Sequence, residues 1–142
     1  MERVAARYLV DTSAYARMRI AEVQVILAPL IELGEVATCG MITLEILYSA
    51  RSSADLEAVR SELRFALTNV PVQDTDFERA IEVMADLAAH GQHRAAKLPD
   101  LLIATVAERA GLTVLHYDED FDRIAMVTGQ PMQWVVPRGS VR

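Results

Sequence analysis

With 142 residues, 52% of them hydrophobic and 24% charged, the chain is long enough to bury roughly two thirds of its unfolded surface around one core without disulfide support. A formal net charge of −6 sets it apart from proteins that hold nucleic acid on a uniformly basic face, and no apolar run approaches the roughly 20 residues that cross a bilayer. Its one cysteine, Cys39, cannot form an internal disulfide, and MERVAARYLVD carries no secretory signal, so a soluble, cytoplasmic protein without membrane association is expected.

RYLV at 7–10 reads as the first strand. Val23, Ile26, Leu27, Leu30 and Ile31 then recur at helical spacing up to Gly34, a stop signal. EVATC at 35–39 is the second strand, and a helix follows across MITLEILYSAR. Leu56, Val59, Leu63 and Leu67 mark the next helix, with arginines on its outer side, and NVPVQ at 69–73 reads as a short edge strand because Pro71 cannot donate to a ladder. Helices at about 75–90 and 99–110 come next, the second ended by Gly111. TVLHY and QWVV supply the last strands around a short helix from Phe121 to Val127. Short β runs alternating with helices predict a three-layer α/β/α domain with a central, mostly parallel sheet. Residues 1–136 form that single domain and 137–142 a C-terminal tail; VPRGS within it resembles a thrombin-type cleavage sequence, yet QPMQWVV runs into it without a break.

In open parallel sheets, ligands gather at the carboxyl ends of the strands. Asp11 stands there after RYLV, and Asp118 after TVLHY, where Asp118, Glu119, Asp120 and Asp122 crowd into five residues. Each has an ordinary explanation: Asp11, Thr12 and Ser13 are good N-cap or turn residues, and Asp118 or Asp120 can charge the first turn of the next helix. Capping needs one side chain, however, and four are present. Glu45 is harder to dismiss, since its neighbours at three and four residues are Met41, Ile42, Tyr48 and Ser49, an apolar flank that makes an unpaired carboxylate costly. Asp100, just after Pro99, likewise shares a helix face with Ile103, Ala104 and Ala107. If these elements converge, bare carboxylates about 5 Å apart repel by roughly 3 kcal/mol per pair at an effective dielectric near 20, so the cluster needs a cation. An all-oxygen donor set selects a hard ion, Mg2+ or Mn2+, over Zn2+. His90, His93 and His116 are too scattered to lead a metal site.

Taken in order and spacing, YLVDTSAY, the glutamate of ITLEILYSAR, KLPDLLIATVAERAG and VLHYDEDFDRIA resemble the four acidic motifs of PIN-domain ribonucleases, in particular the VapC toxins of bacterial toxin-antitoxin pairs. The resemblance spans Tyr8 to about Val136 and implies an Mg2+-dependent endoribonuclease acting on tRNA- or rRNA-type substrate. It also implies a homodimer and a VapB-like antitoxin whose C-terminal segment covers the groove. By the same resemblance Asp11, Glu45, Asp100 and Asp118 are the metal-binding and catalytic acids, Thr12 or Ser13 positions a ligand or water, and Asp120 is an auxiliary acid. The chain departs from many members at His116, where they carry Thr or Ser. RNA also needs cations, for which Arg17, Arg19, Arg51, His93, Arg94 and Lys97 are candidates. Of the 14 basic residues only Lys97 is a lysine.

Other acidic architectures fit less well. An EF-hand loop opening at Asp118 would need glycine where Arg123 stands and an acid where Gly129 stands. A haloacid-dehalogenase-type Asp-x-Asp motif opens its domain, whereas DED comes near the end. A receiver domain wants paired acids after the first strand, and only Asp11 is there. A non-catalytic PIN scaffold, or another acidic-pocket binding module, remains the alternative to an enzyme.

Overall fold

The computed structural model describes residues 6–142, so the first part of MERVAARYLVD, on which the expectation about a secretory signal rests, lies outside the described residues. In chain order the elements are β1 (Tyr8–Val10), α1 (Thr12–Tyr15), α2 (Ala21–Glu32), β2 (Val36–Cys39), α3 (Gly40–Tyr48), α4 (Ser53–Ala66) and β3 (Thr68–Val70). They continue with α5 (Asp74–Ala89), α6 (Leu98–Ala110), β4 (Thr113–His116), α7 (Asp120–Thr128) and β5 (Met132–Trp134). The five strands lie in the order β3-β2-β1-β4-β5, and every neighbouring pair is parallel. Leu9 sits opposite Ala37 on one side and Val114 on the other, so β1 is the middle of the sheet.

Side chains two residues apart on a strand share a face, and that period builds two cores. Leu9, Ala37 and Val114 point into a layer with Val83, Leu87, Ile103 and Phe121, from α5, α6 and α7. Their neighbours Val10, Val36 and Leu115 point the other way, onto Val23 and Leu27 of α2 and Leu63 of α4. α6 is buried at each position from Asp100 to Ala107, which explains its apolar composition. Gly111 closes it in a left-handed conformation (φ 71°), and Leu112 N–H returns to Ala107 O at 2.9 Å. Cys39 is a buried free thiol whose pKa burial pushes up, so it packs rather than reacts.

The predicted three-layer α/β/α architecture is present, and the sheet is parallel throughout rather than mostly. Three local differences have physical causes. Asp11 nucleates a one-turn helix, α1, ahead of α2 instead of capping the long helix directly. β3 stops at Val70 because Pro71 lacks the N–H that the next rung would need. β5 begins at Met132 and ends at Trp134, although Val135 still donates to His116 O at 2.8 Å and Val135 and Val136 are buried.

Candidate active site

The strand order reverses direction at β1: the chain steps from β1 to β2 on one side, then crosses to β4 on the other. The crevice outside the carboxyl ends of β1 and β4 is therefore a topological switch point, where open parallel sheets hold ligands. Asp11 follows β1 and Asp118 follows β4, so the two sit on either side of it.

Asp11 is only 3% exposed and caps α1. Its Oδ2 accepts from Ser13 N–H (2.9 Å) and Ser13 Oγ–H (2.6 Å), while Ser13 Oγ accepts from Tyr117 N–H (2.9 Å). That relay ties the end of β1 to the end of β4 and leaves Asp11 Oδ1 buried without a hydrogen-bond partner. Burial raises the Asp11 pKa against the two Ser13 bonds, and the Glu45 and Asp118 charges raise it further. Thr12 Oγ–H donates to Glu45 Oε1 at 2.9 Å, bringing α3 to the same place. Glu45 is half-buried.

Asp100, in the first turn of α6, is also 3% exposed. One oxygen each from Asp100, Asp118 and Asp120 lie within 4.8 Å of one another. Burial pushes the Asp100 pKa far above the carboxylate range, and the neighbouring Asp120, Asp11 and Asp118 push it the same way. Asp120 moves the opposite way: burial disfavours its charge, but bonds from Lys97 and Asp100 outweigh that and lower its pKa. The two carboxyls titrate as a pair, Asp100 shifted upward and Asp120 downward. Asp118 Oδ1 accepts from Asp120 N–H at 2.9 Å, so one carboxylate starts α7 and also faces the crevice.

The sequence ranks Asp120 as auxiliary, but the fold makes it a full member of the acidic trio, more buried than Asp118. Lys97, expected to contact RNA, instead reaches into the trio: its Nζ lies 2.7 Å from Asp120, 2.9 Å from Asp118 and 3.4 Å from Asp100. Those carboxylates hold the Lys97 ammonium firmly charged against its desolvation. Arg17 is also occupied, bonded to Ser13 O (2.6 Å) and Arg142 O (2.7 Å) and stacked 4.6 Å over Tyr117. Arg19, Arg51, His93 and Arg94 are exposed. Glu119 and Asp122 are not simply solvated: Glu119 pairs with Arg123 and Arg138, and Asp122 accepts the Trp134 indole N–H at 3.1 Å. The tail folds back here too, with Tyr117 Oη donating to Val141 O at 2.7 Å. His116 packs between Phe121 and Trp134, its pKa lowered to about 4 by burial, and its Nδ1 accepts from Asp118 N–H.

The donors fit a hard cation. Asp11 Oδ1 and Asp100 Oδ2 are buried carboxylate oxygens without hydrogen-bond partners, and other carboxylates and the Lys97 ammonium gather beside them. Lys97 occupies the place of a counter-ion from the rim of the site, with its side chain 63% exposed, so it can swing out. Replacing it tests this: Lys97→Gln should tighten divalent-cation binding about 5-fold by removing a competing charge. Half-saturation of a Mg2+-induced thermal shift measures it, and weaker binding would mean that Lys97 assists the cation instead.

The sequence profile of the PIN domain matches residues 8–127. The chain belongs to the PIN-domain family. Among its PIN-domain relatives, Ribonuclease VapC21 of Mycobacterium tuberculosis is 46% identical over 134 residues, covering 94% of this chain and 97% of that protein. Ribonuclease VapC18 of the same organism is 42% identical over 136 residues, covering 94% and 98%. The fold matches solved structures at low identity: VapBC2 from Rickettsia felis bound to a promoter DNA fragment (TM-score 0.73, 15% identity, 92% of this chain and 99% of that one), and DNA-bound VapBC from Salmonella typhimurium (TM-score 0.73, 17% identity, 92% and 99%). The PIN-domain profile covers every element that carries an acid of the crevice, from Asp11 to Asp120.

Proposed function

We propose that this PIN domain is an Mg2+-dependent endoribonuclease of the VapC type, a toxin that hydrolyses RNA phosphodiester bonds, with Mn2+ able to substitute. The observation that supports the reading is the cluster of Asp100, Asp118 and Asp120, with Asp11 and the Thr12-bonded Glu45 near it and buried oxygens of Asp11 and Asp100 without hydrogen-bond partners. Asp11, Asp100 and Asp118 would hold the ion, with Asp120 beside them; bound there, it supplies charge neutralisation at the phosphate and acidifies a water. Ser13 fixes the Asp11 carboxylate through two hydrogen bonds, so one oxygen stays aimed at the crevice. Glu45, oriented by Thr12, is placed to take the proton of the attacking water.

A VapB-like antitoxin and a homodimer complete the proposal. The names of the structural relatives support an antitoxin, as does an apolar groove of about 300 Å3 between α3, α5 and α6, lined by Met41, Phe77, Ile81, Met84 and Leu98. Leu98 adjoins Lys97, so an amphipathic segment laid in that groove would end at the acids. No helix among the described residues is long and apolar enough to cross a membrane.

The test is cleavage of bulk tRNA and ribosomal RNA with Mg2+. Asp11→Asn, which can keep the α1 cap, should reduce the rate at least ~1,000-fold, about 4 kcal/mol of transition-state stabilisation, with unchanged circular dichroism. Full activity in that variant would overturn the assignment of Asp11 to the site, and no activity in the wild type would favour the binding-module alternative.

A further inference from the structure

Arg79, Arg109, Arg123 and Arg138 each hold a carboxylate. Arg60 and Arg64, one turn apart on α4, hold none among the described residues. Glu57 stands three residues before Arg60, at ion-pair spacing, yet no pair forms, and like charges at i and i+4 oppose the helix that carries them. Both guanidinium groups instead line a cavity of about 610 Å3. Thr38, Gly40, Thr43 and Asn69 line the same cavity, among aliphatic side chains that include Leu63.

The cavity lies on the same edge of the sheet as the acids. Thr38 and Asn69 are register partners one residue short of the carboxyl ends of β2 and β3. Because Leu9 pairs with Ala37, the ladder sets Asp11 beside the end of β2, about 5 Å away across one strand spacing. Gly40 and Thr43 put the first turn of α3 on the cavity wall, and Glu45 lies further along the same helix on its other side. A chain of net charge −6 that must bring a polyanion to a carboxylate cluster needs a local counter-charge, and paired arginines with hydroxyl and amide groups are the donor set that suits phosphate oxygens.

We propose that the Arg60–Arg64 cavity is a subsite for the phosphodiester backbone of RNA, holding a phosphate beside the one cut at the acids. This rests on reading the acidic crevice as the hydrolytic centre. An acidic protein segment would suit the charges as well, but the position of the cavity at the carboxyl edge of the sheet, on the strand next to β1, favours a nucleic-acid strand that reaches both.

Arg60→Gln/Arg64→Gln and Arg60→Lys/Arg64→Lys are compared with wild type, each checked by thermal melting. A fluorescein-labelled hairpin RNA is titrated in Ca2+ by anisotropy across a salt series, and cleavage of bulk tRNA and ribosomal RNA is followed in Mg2+. The glutamine pair should bind the hairpin about 10-fold more weakly, with a salt slope shallower by about 0.7 for each phosphate that is no longer neutralised. The lysine pair should recover most of the affinity. In cleavage, KM should rise about as much while kcat changes less than about 2-fold. Unchanged hairpin affinity and salt slope would overturn the subsite even if wild type cuts RNA. Unchanged RNA binding with abolished binding to poly-glutamate would also overturn it, in favour of a protein partner. Arginine-dependent hairpin binding without cleavage by wild type would uphold the subsite and remove the hydrolytic reading instead.

Discussion

Asp100→Asn should give a folded protein that gains no thermal stability from Mg2+ and cleaves RNA at least ~1,000-fold more slowly, about 4 kcal/mol at the transition state. Two features of Asp100 make both outcomes follow. Burial and the surrounding acids push its carboxyl toward the protonated form in the absence of a cation, so a neutral amide of the same shape costs the apo fold little. A divalent ion must displace that proton and use the freed oxygen, which asparagine cannot supply with charge. In the wild type, Mg2+ at 100 times its dissociation constant should stabilise the fold by about 2.7 kcal/mol, and the variant should lose most of that gain. Differential scanning fluorimetry with and without Mg2+ gives the first readout and RNA cleavage the second. A variant that retains the Mg2+ shift but not cleavage would place the ion elsewhere in the crevice.

The largest stability effect should come from a residue remote from the crevice chemistry. Asp76 is 2% exposed at the start of α5, where Gln73 N–H (2.8 Å) and both Nε (2.8 Å) and Nη2 (3.0 Å) of Arg109 converge on its carboxylate. Arg109 also donates to Pro71 O at 2.6 Å, so this fork pins the β3–α5 connection to the end of α6. Asp76→Ala should cost about 2–3 kcal/mol, less than the loss from a fully buried pair because the guanidinium keeps water access, and lower Tm by about 10 °C. The Arg109 hydrogen bonds hold the Asp76 pKa below its ordinary 3.8 despite burial. A depressed carboxylate pKa stabilises the fold above the unfolded-state value and loses that contribution as pH falls through the folded-state value. The gap between wild type and Asp76→Ala should therefore stay constant from neutral pH down to about 5 and close below about 4. A gap that widens in acid would contradict the ion pair.

The alternation of Leu9 with Val10, Val36 with Ala37 and Val114 with Leu115 is visible in the sequence, and it sets both cores. Strand ends likewise mark Asp11 and Asp118, and an inward-facing acid in a helix's first turn marks Asp100. α1 is not legible, because Asp-Thr-Ser serves a turn and a one-turn helix equally well. Lys97 precedes Asp100 by three residues, which makes their pairing readable, but its reach to Asp118 and Asp120 depends on how α6 packs beside the β4–α7 junction. For the same reason Asp120 reads as a helix-start acid until tertiary packing buries it. Arg60 and Arg64 look like an ordinary outer face of α4 until packing sets them at the rim of a cavity formed with β2, β3 and α3.

The Tyr117–Ser13–Asp11 relay joins positions 104 and 2 residues apart in the chain. A ribosome releases such a chain from its N-terminus, so Asp11, Thr12 and Glu45 emerge long before the strand that completes their crevice. Until β4 has cleared the exit tunnel and inserted beside β1, Ser13 has no Tyr117 amide to hold, and Asp118 and Asp120 do not yet exist as partners. Synthesis itself thus imposes a delay, and a truncated product ending before residue 113 would lack the chemistry altogether.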